Sequence, residues 1–117
     1  MEISEKYEFR FVFVGRRRPT IEHFKDAWSV ETKREFNHSG IYVNAVIDER
    51  FLTCVDCLEN ERAYIVTAIR NPAQVPSEED YYIAIGNILN EVRQVFNSPY
   101  IIVICEKVHF SFFPNSE

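Results

Sequence analysis

Residues 77–113, SEEDYYIAIGNILNEVRQVFNSPYIIVICEKVHFSFF, decide the fold. Ser77 is placed to cap a helix whose first turn holds Glu78, Glu79 and Asp80, where carboxylates offset the unpaired amide dipoles of a helix start. Tyr81, Ile85, Ile88, Leu89, Val92, Val95 and Phe96 then follow in steps of three and four, one apolar stripe at helical period. Asn97-Ser98-Pro99 stops the helix. Tyr100 to Cys105 is apolar on both parities, which predicts a strand covered on both faces, inside a sheet. From Glu106 the pattern changes: Val108, Phe110 and Phe112 alternate with Lys107, His109 and Ser111. This is the pattern of a strand emerging towards solvent. If that strand lies at a sheet edge instead, an apolar edge is an aggregation hazard and needs a cover. A homodimer through the edge near Tyr100–Phe113 is one candidate cover.

Working outward, Tyr7 to Val14 places Tyr7, Phe9, Phe11 and Phe13 on one face and Glu8, Arg10, Val12 and Val14 on the other, a half-buried strand. Gly15 to Pro19 breaks it. Thr20 is a cap for a second helix, with Ile21, Phe24 and Trp28 inward, running towards Phe36 and ended by Asn37-His38-Ser39-Gly40. From Ile41 the period drops to two. Ile41 to Ile47 and Arg62 to Ile69 read as strands. Residues 50–58 between them read as a further short strand or as a helical turn, since Phe51, Cys54, Val55 and Leu58 also satisfy helical spacing. Asn71 to Pro76, with two prolines, is a connector.

The resulting order, β-α-β-β-(β)-α-β, predicts an α+β domain: two helices on one face of a mainly antiparallel sheet of four or five strands, ferredoxin-like or a variant of it. Right-handed crossovers put both helices on the same face, so Phe24 and Trp28 should meet Ile85 and Val92 there. One domain over residues 1–117 is expected, with 1–5 and 114–117 frayed. The chain length suffices for a core without cross-links. The start lacks a signal-peptide pattern and no run approaches a membrane span, so a cytoplasmic setting without membrane contact is expected.

Charge is uneven. Residues 1–40 are net +1 and residues 41–117 net −6. Asp48, Glu49, Asp56, Glu59 and Glu61 crowd the segment between the middle strands. Such a field repels nucleic acid and attracts a basic surface. Tyr42, Phe51 and Tyr64 lie close by in sequence as apolar anchors. These features favour a protein-binding module, an inhibitor or immunity/antitoxin-like protein blocking a basic, nuclease-type partner, and not an enzyme. The competing reading rests on Arg16-Arg17-Arg18 before Pro19-Thr20, three guanidinium groups at a helix start, which suits phosphate or nucleic acid, or a small enzyme handling either. Three arginines are few for a groove-binding protein, which makes nucleic acid the less favoured ligand.

Three cysteines without a secretory context suggest reduced, packed thiols. Cys54-x-x-Cys57 with Cys105 and His109 would form a zinc set, a weak candidate because nothing shapes a knuckle around Cys54 and a regular strand would send Cys54 and Cys57 to opposite faces. No cofactor motif is found. No nucleophile elbow, His-Glu-x-x-His helix or glycine-rich phosphate loop occurs either.

Overall fold

A computed structural model describes residues 1–14 and 17–116. Six elements follow in order: β1 (Glu2–Val12), α1 (Ile21–Ser39), β2 (Ala45–Phe51), β3 (Arg62–Ile69), α2 (Glu78–Val95) and β4 (Tyr100–Phe110). The four strands form one sheet in the order β2-β3-β1-β4, every neighbouring pair antiparallel. The helices pack on one face of it, the α+β arrangement of a ferredoxin-like variant.

Both helices start where the sequence places their caps. The Thr20 hydroxyl accepts from the His23 amide at 3.1 Å and the Ser77 hydroxyl from the Asp80 amide at 3.1 Å. Each satisfies one of the amides a first turn leaves unpaired. Helix α1 runs to Ser39 and closes on Gly40, which adopts the left-handed conformation at φ +75° and donates its amide to the Phe36 carbonyl. The aromatic side of β1 lies under the helices as expected. Tyr7, Phe9, Phe11 and Phe13 join Phe24, Trp28, Tyr64, Val66, Tyr81, Ile85, Ile88 and Val92 in one buried cluster. Phe11 meets Phe24 edge to face at 4.8 Å, the arrangement that ring quadrupoles favour.

Several boundaries differ from the sequence expectation. Strand β1 begins at Glu2, because residues 2–6 pair with 106–110 of β4 and bury Ser4 and Glu5. The middle segment has no additional strand and no helix. Strand β2 extends to Phe51 and the chain then crosses to Arg62 through turns, held at its base by the Leu52 amide on the Glu61 carbonyl at 2.9 Å. Strand β4 is at the edge and not inside the sheet, and most of it is exposed, Val103 to 53%. Its double-sided apolar character reflects an uncovered edge in this chain and not a central position.

The sheet face away from the helices is open. Register places Val12, Ala63 and Tyr100 in one row across it, then Arg10, Ile65, Ile102 and Asp48 in the next. Val12, Ala63 and Ile65 form a small second apolar cluster there, with Val14 and Leu52 against it. Among the described residues no helix is long and apolar enough to cross a membrane.

Candidate active site

The two poles of the sheet differ in chemistry. At one pole, where β1 begins, Glu5 takes Arg70 through two hydrogen bonds, and Lys107 bridges Glu5 at 3.3 Å and Glu78 at 2.8 Å. The Arg70 guanidinium holds the Glu5 carboxyl below its ordinary pKa. Tyr7, two residues further along β1, is pushed up to about 12 by burial first and then by the neighbouring Cys105 thiol. Burial likewise raises Tyr81, whose hydroxyl has no hydrogen-bond partner among the described residues. These charges satisfy one another, which gives this pole a structural role.

The opposite pole gathers the end of β1, the 52–61 loop, the turn between α2 and β4, and the first residues of β4. A cleft of about 820 Å³ opens there, lined by Val12, Val14, Leu52, Cys54, Asp56, Arg93, Ser98, Pro99, Tyr100 and Ile102. Its floor is the apolar end of the open sheet face. Tyr100, 66% exposed, supplies a ring. Asp56 and Arg93 bring opposite charges into the lining. The guanidinium of Arg93 is held by the Pro99 carbonyl, which accepts from Nε at 3.3 Å. The turn itself is unusual. Asn97 and Ser98 both have positive φ, 60° and 55°, and the Ser98 amide closes on the Arg93 carbonyl at 2.8 Å. Non-glycine residues in that region cost free energy and concentrate at functional sites.

Two further clefts adjoin this pole. One lies over Phe13, Arg17, Arg18, Thr20, His23 and Phe96, and the other under the 52–61 loop between Phe51 and Glu61. Glu61 connects them, its carboxylate 3.9 Å from Arg18 and only 16% exposed. The basic turn and the acidic hairpin, read from the sequence as rival sites, thus meet at one end of the molecule. Apolar walls, an aromatic ring and separate acidic and basic groups suit a molecule that is amphiphilic and carries both signs of charge.

The other predicted residues are scattered. Asp48 lies on the open face, 3.5 Å from Arg50, whereas Glu49 points to the helix side opposite Tyr64. Glu59 is exposed in the loop. Tyr64 is no surface anchor: it is 1% exposed and its hydroxyl donates to the Pro19 carbonyl. Burial raises its pKa. Phe51 is exposed beneath the Arg62 guanidinium at 4.0 Å, and Tyr42 packs on Phe36 at 4.7 Å. Arg16 lies outside the described residues.

The cysteines depart from expectation. Cys54 and Cys57 form a disulfide and Cys105 is exposed, so none is a packed, buried thiol. The turn between β2 and β3 brings Cys54 and Cys57 together where a strand would have parted them. The zinc set is not assembled, since Cys105 and His109 belong to β4, and among the described residues no three metal-binding side chains cluster. Sequence reasoning missed Arg93 and Tyr100. Their one signal was position, either side of the Asn97-Ser98-Pro99 break.

Fold and site together define a small helix-over-sheet protein with an amphiphilic cleft at one sheet pole. The model of the SAM lyase family matches residues 2–114, and the chain belongs to that family. Among solved structures it is similar to a phage SAM lyase in complex with S-methyl-5'-thioadenosine, at 20% identity and TM-score 0.56, over 88% of this chain and 80% of that one. A phage SAM lyase in the apo state gives 17% identity and TM-score 0.54, over 96% and 94%. The de novo designed protein Foldit4 gives 16% and 0.55, over 89% and 94%. Identities this low carry the fold alone, and the designed protein shows how general that fold is. Comparison with curated protein sequences returns no match.

The family overturns the inhibitor or immunity-protein reading. Lyases are enzymes, and the acidic hairpin that suggested a basic protein partner is part of the pole where the cleft opens. An acidic segment is common to binding proteins and to enzymes, so charge placement alone does not separate the two.

Proposed function

We propose that the chain cleaves S-adenosylmethionine to S-methyl-5'-thioadenosine, with the substrate seated in the cleft beside Tyr100. The observation that carries this reading is the family match over residues 2–114. The phage relative solved with S-methyl-5'-thioadenosine suggests the product.

The product identifies the bond. S-methyl-5'-thioadenosine retains the methyl group, the sulfur and the adenosyl unit, so the bond that breaks joins sulfur to Cγ of the amino-acid portion. Its electron pair stays on sulfur and cancels the sulfonium charge. A lyase takes up no water, which leaves two balanced routes. In one, the substrate's own carboxylate closes on Cγ and gives a five-membered lactone. In the other, a base removes a proton from Cβ and gives an unsaturated amino acid. The cleft favours the first. Ring closure needs no protein base, only a folded substrate, and well-held intramolecular reactions reach effective concentrations of about 10⁵–10⁸ M.

The apolar floor of Val12, Val14, Leu52 and Ile102 also works in that direction. The sulfonium charge disappears along the reaction, so a poorly solvating wall disfavours the substrate more than the transition state. Tyr100 offers a face to the adenine or to the cation. Asp56 suits the ammonium group, and Arg93 the carboxylate.

The test is direct incubation of the protein with S-adenosylmethionine in ¹⁸O-water. Release of S-methyl-5'-thioadenosine with a lactone free of ¹⁸O at short times is expected. Folded protein that releases none would overturn the activity, and an unsaturated amino acid would overturn the route. Two further points belong to the same proposal: the reaction takes place in the cytoplasm, and copies of the chain associate through the exposed β4 edge.

A further inference from the structure

We infer that the Cys54–Cys57 disulfide is a redox-sensitive positioning device for Asp56, making the recognition of the substrate's amino-acid portion dependent on thiol state. This rests on the proposed activity and concerns the same cleft.

The geometry is compact. Cys54, Val55, Asp56 and Cys57 form a turn closed twice, by the disulfide and by the Cys57 amide on the Cys54 carbonyl at 3.2 Å. Asp56 lies inside that ring and lines the cleft together with Cys54. Little else restrains the loop. Val55 is fully exposed and Leu58 75% exposed, so the tip buries little apolar surface against the sheet. The ladder below it ends at the Leu52–Glu61 hydrogen bond. A tip with so few buried contacts opens at small cost once its cross-link is removed. The disulfide is the feature that orders Asp56.

Exposure gives the bond access to reductants, and in a reducing compartment disulfides are usually transient and redox-sensing. The step balances: a dithiol reductant supplies two electrons and two protons, the bond between the two sulfur atoms becomes two thiols, and the reductant closes its own disulfide. Asp56 is a positioned binding group here, and the chemistry of C–S cleavage does not pass through it. Its partner in the substrate is the ammonium group, which S-methyl-5'-thioadenosine lacks and S-adenosylhomocysteine retains. The two ligands therefore separate the device from the rest of the cleft.

The experiment measures both affinities by calorimetry on oxidised protein and on protein reduced with dithiothreitol. Maleimide labelling verifies the states, with one reactive thiol per chain before reduction and three after it. Loss of an ordered hydrogen bond to a charged group predicts that reduction weakens S-adenosylhomocysteine about 10-fold. S-methyl-5'-thioadenosine should be unaffected. Oxidised Asp56→Asn should show the same 10-fold loss and no response to reduction, and Cys54→Ser/Cys57→Ser should behave as reduced protein in either buffer. Equal affinities for S-adenosylhomocysteine in both states would overturn the inference, as would parallel weakening of both ligands or an Asp56→Asn protein that still responds. If both ligands bind without regard to thiol state, only the device fails. If neither binds, the proposed activity fails with it.

Discussion

Arg70 grips Glu5 across the β1–β3 pair through two hydrogen bonds, one of them from Nη2 to Oε2 at 3.0 Å, with both side chains more than nine-tenths buried. A charge pair taken out of water needs its remaining donors satisfied, and here they are. Arg70 also donates to the Val75 carbonyl at 3.0 Å, and the Ser4 hydroxyl donates to the Arg70 carbonyl. Removing one partner strands the other. Glu5→Gln or Arg70→Met should each cost about 3–5 kcal/mol in urea unfolding, and the double replacement Glu5→Leu/Arg70→Met less than the sum.

The same pair predicts a pH dependence with a definite sign. Hydrogen bonds from Arg70 hold the folded Glu5 carboxyl below its ordinary value of 4.5. A depressed acid stabilises the fold above the unfolded pKa and loses that contribution as pH falls through the folded one. The urea midpoint should therefore be level down to pH 4.5 and decline below it. Glu5→Gln should flatten that decline, and an unchanged slope would mean other carboxylates dominate.

Two glycines should respond in opposite directions to alanine. Gly40 has φ +75° with open space where a Cβ would go, so only backbone conformation opposes a side chain. Gly40→Ala should cost about 1–2 kcal/mol, the left-handed penalty of an L-residue. Gly86 sits inside α2, also with open space around a Cβ. Gly86→Ala should stabilise by about 0.8–1 kcal/mol through helix propensity. Thermal denaturation of the two variants compares them in one experiment.

At the cleft, stability and activity should separate. Glu61 is the least exposed acid of the 48–61 segment and its ion pair with Arg18, at 3.9 Å, is a loose one. Glu61→Gln should change stability by less than about 1 kcal/mol, as loose pairs do. Turnover of S-adenosylmethionine should nevertheless fall by 10-fold or more if the proposed cationic substrate sits beside it, because Glu61 lines the cleft under the 52–61 loop and reaches Arg18 of the neighbouring cleft. Arg93→Ala should raise KM and change kcat as well, because the carboxylate it is proposed to hold is the group that closes on Cγ. A stability loss matching the loss of activity would reduce both residues to scaffolding.

The fold was readable because its signals are local. Ser77 and Thr20 cap helices by contacts three residues away, and the aromatic parity of Tyr7 to Phe13 follows from strand geometry alone. Strand β4 lies at the edge against expectation because an apolar run looks alike in the middle of a sheet and at an uncovered edge. The site was unreadable for a related reason. Arg93, Asp56 and Tyr100 come from three separate segments, none carries a motif, and only the fold brings them to one cleft. The arginine turn and the acidic hairpin are each visible as charge runs, but their meeting at Arg18 and Glu61 is a fact of tertiary structure. The disulfide likewise depends on a turn that the ambiguous spacing of residues 50–58 did not specify.

The β4 edge supplies the last prediction. Eleven residues of β4 pair with β1 on one side and, among the described residues, have no strand on the other, and Tyr100 and Val103 are each more than half exposed. An edge of this length and composition is a template for another strand, and single chains usually blunt it with charge or proline. Glu106 and Lys107 break the apolar run only near its end. The proposed self-association uses the stretch before them. Val103 pairs in register with Phe9 but is 53% exposed and is not among the residues packed on the buried cluster, so a lysine in its place puts an unpaired charge in the middle of that seam. Val103→Lys should therefore leave the unfolding transition within about 0.5 kcal/mol, as surface substitutions do, while shifting the protein to monomer in analytical ultracentrifugation. Wild type that sediments as a monomer across micromolar concentrations would remove the seam from the proposal.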